Sequence, residues 1–208
     1  MNFKQIITNL TMFGFPISHI IQLRKLTATK GKEDLSIWTF ILFIVANMSA
    51  FIYTTEGFSP PNIMNFIIPS LIEVMLIYYI MKREKYNKIV ISTSTLLCIV
   101  IIILGITSSV YEMPFNKYAG YIPSIVMPLS VIMELYTLYS DKNPKIDIYS
   151  IISWFLVLIS LIGCYILAGR YKSFESIMSF LIPSIITLFV VGKVIFEYIV
   201  ENKKKKKK

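Results

Sequence analysis

Between Lys88 and Tyr111 the chain carries no charged residue, and its middle, Leu96-Leu97-Cys98-Ile99-Val100-Ile101-Ile102-Ile103-Leu104, carries no polar one. A run of this length matches the roughly 20 apolar residues that a helix needs to cross the hydrocarbon core of a bilayer. Six further apolar stretches flank it, so that the series reads as about 5–24, 35–55, 62–81, 89–108, 119–140, 147–168 and 175–199. Seven spans and their short connections use up all 208 residues. The expected fold is therefore an all-α membrane protein with seven transmembrane helices, placed in the cell membrane as a multi-pass protein. Only 16% of residues are charged and the mean hydropathy is +0.67, whereas soluble domains carry about 25% charge.

The formal net charge of +9 raises the question of nucleic acid. Its distribution answers in the negative, because the basic residues sit between apolar runs and at the C-terminus, where Lys203 to Lys208 form a polybasic tail suited to the cytoplasm and to anionic lipid. Cys98 and Cys164 lie inside apolar runs and read as packing residues rather than a disulfide or metal pair. One histidine, His19, makes no zinc site by itself. No cofactor and no metal are expected. Met1 to Gln5 lacks a basic region followed by a cleavage site, so no removable signal peptide is expected.

Lys and Arg counts set the expected orientation, since cytoplasmic loops carry the excess. Arg24, Lys25, Lys30 and Lys32 follow the first helix, Lys82, Arg83, Lys85 and Lys88 the third, Lys142 and Lys145 the fifth, and six lysines close the chain, a total of 16. The opposite side has Lys4, Lys117, Arg170 and Lys172, a total of 4. This bias places the N-terminus outside and the C-terminus in the cytoplasm, which needs an odd number of spans.

An internal repeat is present. Ile63-Met64-Asn65-Phe66-Ile67-Ile68-Pro69-Ser70 and Ile177-Met178-Ser179-Phe180-Leu181-Ile182-Pro183-Ser184 agree at six of eight positions, at an offset of 114. Pro16-Ile17-Ser18 and Pro128-Leu129-Ser130 match at offset 112, a register that sets Gln22 against Glu134, and Asp34-Leu35 meets Asp147-Ile148 at offset 113. The expected organisation is a first three-helix repeat over 1–86, a linker transmembrane helix over 87–116, a second three-helix repeat over 117–202 and the polybasic tail 203–208. Three spans is an odd number, and the linker helix restores the second copy to the orientation of the first. Parallel repeats of this kind are a transporter architecture, with the solute bound near mid-bilayer between the repeats.

The residues also carry a resemblance. His19-Ile20-Ile21-Gln22-Leu23-Arg24-Lys25-Leu26, then Thr29-Lys30-Gly31-Lys32-Glu33-Asp34-Leu35-Ser36-Ile37-Trp38-Thr39-Phe40, then Ala46-Asn47 and Tyr53, resemble a PQ-loop repeat. The match runs over 13–53, and the three-one-three plan over nearly the whole chain resembles the SWEET-like (MtN3) and PQ-loop seven-helix transporters. The chain departs from that pattern in places. Ile21-Gln22 and Met133-Glu134 stand for the Pro-Gln pair, prolines fall in the first and third helices of each repeat, and Ser179 faces Asn65 where the sugar carriers pair asparagines. The resemblance implies a carrier of small solutes that works by alternating access.

Several residues are candidates for function. Pro16, Pro69, Pro128 and Pro183 fall in two repeat-related pairs and read as hinges, or as static kinks that shape packing. Asn65, Ser179 and Asn47 are candidate solute contacts, with interhelical hydrogen bonding as the structural alternative. Glu73, deep in the third helix, costs about 2.5–3.5 kcal/mol or more in hydrocarbon unless protonated, paired or hydrated, and is read as a substrate-charge or proton-coupling group or as a structural hydrogen-bonding residue. Lys193 in the seventh helix either reaches toward Glu73 or snorkels to the inner interface. His19, Gln22 and Glu134, toward the cytoplasmic ends of helices 1 and 5, form a candidate inner gate. Trp38, Trp154, Tyr136, Tyr139 and Tyr149 read as interfacial anchors.

The leading expectation is a membrane transporter of a small polar solute such as a sugar, an amino acid or a vitamin-like metabolite, with the lipid bilayer, the solute and protons as partners and a homo-oligomer left open. A non-transporting seven-helix receptor or sorting protein is the second reading. A retinal-binding, rhodopsin-like protein using Lys193 with Glu73 as counter-ion is the third. Enzyme chemistry is not expected, because the sequence holds no nucleophile–base pair, metal-ligand cluster or glycine-rich phosphate loop.

Overall fold

A computed structural model describes residues 3–28, 36–53, 59–111, 118–140, 146–167, 174 and 177–205. The described residues are predominantly helical and include no strand. Helix α1 spans Phe3–Ala28, α2 Ile37–Tyr53, α4 Lys88–Val110, α5 Tyr121–Ser140 and α6 Ile148–Leu167. Helix α3 joins Pro60–Asn62, a π-helical turn Ile63–Ile67 and the α segment Ile68–Arg83. Helix α7 begins with a second π turn, Ile177–Leu181, and continues as Ile182–Lys205. Six of these are long and apolar enough to cross a membrane, and α2 is a shorter apolar helix. The chain is thus a multi-pass helical membrane protein. The segments 29–35, 141–145 and 168–173, which hold the turn of the PQ-loop resemblance and part of the charge bias, lie outside the described residues.

Outward helix faces are apolar, and polar residues are buried beside an apolar core. On α1, Thr11, Ser18, His19 and Gln22 are buried while Ile6, Phe13, Ile17 and Ile20 are exposed. On α5, Ser124, Ser130 and Glu134 face inward while Ile122, Ile125, Leu129 and Ile132 face out. On α7, Ser179, Ser184 and Thr187 are buried and Ile185, Leu188 and Phe196 are exposed. Water would penalise such outward apolar faces, whereas hydrocarbon tolerates them and drives the polar groups inward to find partners.

Helix α1 packs on α3 and α6, α2 packs on α3, α4 and α5, and α7 packs on α5 and α6. Helix α4 lies on α2 and α3, with Leu96, Leu97, Ile103 and Leu104 turned outward. The α1–α6 seam is close because Gly163 stands opposite the Thr11 methyl and Gly14 opposite the Ser160 hydroxyl. Small residues let helix backbones approach where lipid supplies no hydrophobic drive.

Candidate functional site

The two π turns are built alike. Pro69 has no N–H to offer the carbonyl of Asn65 and would clash with it in a regular α turn. The backbone widens instead, and Ile68 N–H donates to Ile63 O, five residues back. Ser70 Oγ then donates to Phe66 O at 2.7 Å. In α7 the turn Ile177–Leu181 precedes Pro183 in the same way, and Ser184 Oγ donates to Phe180 O at 2.5 Å. Asn65 and Ser179 are the central residues of these turns. Single π turns inside α-helices are frequent at functional sites.

The polar atoms at the two centres differ in their pairing. Asn65 Oδ1 is buried without a hydrogen-bond partner, while Ser179 Oγ lies 3.2 Å from Ser124 Oγ. The first π turn packs on α1 and α2, the second on α5 and α6. Pro16 and Pro128, inside α1 and α5, are each followed two residues later by a serine that bonds back to the helix. Ser18 Oγ donates to Phe15 O at 2.7 Å and Ser130 Oγ to Met127 O at 2.6 Å. All four prolines are buried.

Three candidates from three helices converge below the first π turn. Glu73 of α3 is fully buried. His19 Nε2 of α1 lies 3.0 Å from Glu73 Oε1, near in distance though off the line of a good hydrogen bond. Asn47 Nδ2 of α2 donates to Glu73 Oε1 at 3.2 Å and Oε2 at 3.4 Å. The other ring nitrogen, His19 Nδ1, sits 2.7 Å from Phe15 O and 3.1 Å from Ser18 Oγ. Phe40 and Phe43 present their rings edge-on to the imidazole, at centroid distances of 6.3 and 6.0 Å.

Nearer the C-terminal end of α5, Glu134 Oε2 accepts from Thr39 Oγ1 at 3.2 Å and from Ser36 N–H at 3.4 Å. The carboxylate of α5 thereby meets the N-terminus of α2, where unpaired N–H groups and the helix dipole favour negative charge. On the matching flank, Lys25 Nζ of α1 donates to Ser150 Oγ at 2.7 Å and lies 3.8 Å from Asp147 Oδ1, while Asp147 accepts Ser150 N–H at 2.9 Å as the cap of α6. Gln22 is buried, with Oε1 unpartnered. Of the three residues read as an inner gate, His19 therefore belongs with Glu73, and Glu134 with α2.

Lys193 sits elsewhere. Its ammonium pairs with Glu197 Oε1 at 2.5 Å one turn along α7 and lies 4.8 Å from the centre of the Tyr139 ring. An open groove lined by Leu188, Phe189, Gly192 and Phe196 surrounds it. Glu73 has His19 and Asn47 as its partners, so the structure does not bring Lys193 and Glu73 together. Trp154 is buried rather than interfacial, while Trp38, Tyr136, Tyr139 and Tyr149 are exposed.

Sequence reasoning missed Thr39, Ser36 and Ser124, the partners of Glu134 and Ser179, as well as Thr187 and Ser160, whose buried hydroxyls have no hydrogen-bond partner. The available signal was a small hydroxyl inside an apolar run. Set against known protein families, curated proteins and solved structures, the chain matches none of them.

Proposed function

We propose that the chain is a membrane transporter that carries a small polar solute by alternating access, with Asn65 and Ser179 among its solute contacts. The observation that carries this reading is the matched pair of π turns. Each centres a polar side chain on a segment that a following proline keeps out of regular α geometry, in a sequence repeated at offset 114. Backbone of this kind at membrane depth is tolerated where protein or a water-lined cavity surrounds it, and broken helices at the interface of two repeats form the solute sites of secondary carriers.

The wider arrangement proposed is two parallel three-helix halves, 1–86 and 117–202, joined by the linker helix within 87–116, with the N-terminus outside and the C-terminus in the cytoplasm. The packing supports it. Exchanging α1, α2 and α3 for α5, α6 and α7 turns the closely packed pairs among these six helices into one another: α1–α3 into α5–α7, α2–α3 into α6–α7, and α1–α6 into α5–α2. The repeat, the prolines and the resemblance to PQ-loop and SWEET-like carriers over 13–53 point the same way. In this scheme Pro16, Pro69, Pro128 and Pro183 are the hinges on which the halves rock.

The test is uptake by lipid vesicles holding the purified chain, across labelled sugars, amino acids and vitamin-like metabolites. One class is expected to enter. Asn65→Ala should cut its uptake roughly tenfold, the value of one hydrogen bond of about 1.4 kcal/mol, and Ser179→Ala by less, because Ser179 already shares its hydroxyl with Ser124. Flux of no metabolite would overturn the carrier reading, and ligand-dependent partner binding without flux would identify a receptor or sorting protein.

A further inference from the structure

We propose that His19 and Glu73 form a buried site that binds a single exchangeable proton, carried by either His19 Nε2 or the Glu73 carboxyl group. The argument starts at the other side of the ring. Phe15 O, 2.7 Å from Nδ1, is a carbonyl and can only accept, so Nδ1 carries a hydrogen in every protonation state. The neighbouring Ser18 hydroxyl spends its own hydrogen on the same carbonyl. The tautomer is therefore set, and Nε2 turns toward Glu73 as either a bare lone pair or a second N–H.

At 3.0 Å from Oε1 a bare nitrogen facing a carboxylate would oppose two lone pairs, and the carboxylate would stand as an unpaired charge among apolar helices. Two protons would leave an unpaired imidazolium in the same place. One proton makes the pair neutral, whether it rests as imidazolium–carboxylate or as imidazole–carboxylic acid. The short separation, rather than the bond angle, dictates this count. Asn47, which donates to both carboxyl oxygens, steadies the acid in either form.

The surroundings supply no second ionic partner among the described residues. From α2 come the Asn47 amide and the Phe40 and Phe43 rings. From α4 comes the buried Cys98 thiol, within electrostatic reach of Glu73. Helix α6, packed on α1, brings the Ser153 hydroxyl to Ser18 O at 3.0 Å. The site also belongs to one half only. On the repeat register His19 meets Val131 at offset 112, Asn47 meets Ser160 at 113 and Glu73 meets Thr187 at 114, a set that cannot titrate. Binding of that proton would therefore take one half of the bundle from a single negative charge to neutral and leave the other unchanged. The site stands whether or not the chain carries a solute, and its test needs none.

His19 is the only histidine of the chain, so full-length protein with isotope-labelled histidine, on a histidine-free tag in lipid nanodiscs, gives one imidazole spectrum. The expected result is a protonated Nδ1 at every pH. The Nε2 resonance should move in one step, together with an infrared carboxyl band that Glu73→Gln deletes. In Glu73→Gln the Nε2 resonance should lose that step. A wild-type spectrum with bare Nδ1 and protonated Nε2 would overturn the proposal without any variant, and so would a Glu73→Gln spectrum that follows the wild-type one through the whole titration.

Discussion

Glu73 stays in the bundle because Asn47 donates to its carboxyl group and the His19 imidazole lies 3.0 Å from it, and its tolerance of that position is a property of the trio rather than of the residue. Removing one member of a buried polar pair leaves the other desolvated and unpaired, typically at a cost of about 3–5 kcal/mol, whereas replacing both with apolar groups is often close to neutral. His19→Leu alone should therefore lower stability by about 3–5 kcal/mol, and the double change His19→Leu with Glu73→Leu should recover most of that loss. Thermal unfolding in detergent, read as a double-mutant cycle, checks it. Additive losses would mean that the 3.0 Å approach carries no coupling. This pairing was beyond the reach of the sequence. His19 stands three residues from Gln22, which groups the two on one face of α1, and both are indeed buried there. Which neighbouring helix each meets depends on how α1 rotates against α3 and α6, and no local pattern encodes that angle.

At the scale of elements, the apolar runs were legible to within a few residues because lipid imposes one length on every span, and each expected segment has its helix. The π turns were legible only as a repeated string, Ile-Met-x-Phe followed by Ile-Pro-Ser, since the widening is a backbone response to the missing N–H of Pro69 and Pro183 and leaves no signature of its own. The seams between helices rest on glycines that look interchangeable in the sequence and are not. A Cβ on Gly163 would run into the Thr11 methyl, and Thr11 is held in its rotamer by β-branching and by bonds to Ile7 O and Thr8 O at 3.1 and 2.9 Å. A Cβ on Gly14 meets the Ser160 hydroxyl, which can swing aside because no partner holds it. Nothing lies within 4 Å of a Cβ on Gly192. Gly163→Ala should therefore destabilise by about 1–3 kcal/mol, as overpacking does, and Gly14→Ala by less. Gly192→Ala should gain about 0.5–1 kcal/mol from reduced backbone freedom. Unfolding midpoints of the three variants, compared in one detergent, decide the order.

For the molecule as a whole, the parity of the spans turns on α2. Its 17 residues reach about 26 Å at about 1.5 Å per residue, against about 30 Å of hydrocarbon. A helix facing lipid would meet that mismatch directly. Helix α2 instead packs on α3, α4 and α5, and Phe40, Phe43, Ile44, Ala46, Met48 and Phe51 along its length are buried in protein. Enclosed in this way, it has protein rather than lipid as its solvent and need not match the bilayer. It should therefore cross, which would make seven spans and put Phe3 and Lys205 on opposite faces. The excess of lysine and arginine after α1, α3 and α5 and in the tail, 16 against 4, would then place the C-terminal side in the cytoplasm. On intact cells an N-terminal epitope should be reached by antibody and a C-terminal one only after permeabilisation. Tyr86→Cys, in the exposed turn between α3 and α4, should resist an impermeant thiol reagent in a background with Cys98 and Cys164 changed to serine. Tyr118→Cys, exposed beyond the far end of α4, should react. Both epitopes on one face would mean that α2 turns back within the bundle. The two halves could not then be parallel copies, and the match between the turns at Asn65 and Ser179 would lose its meaning as a shared solute site.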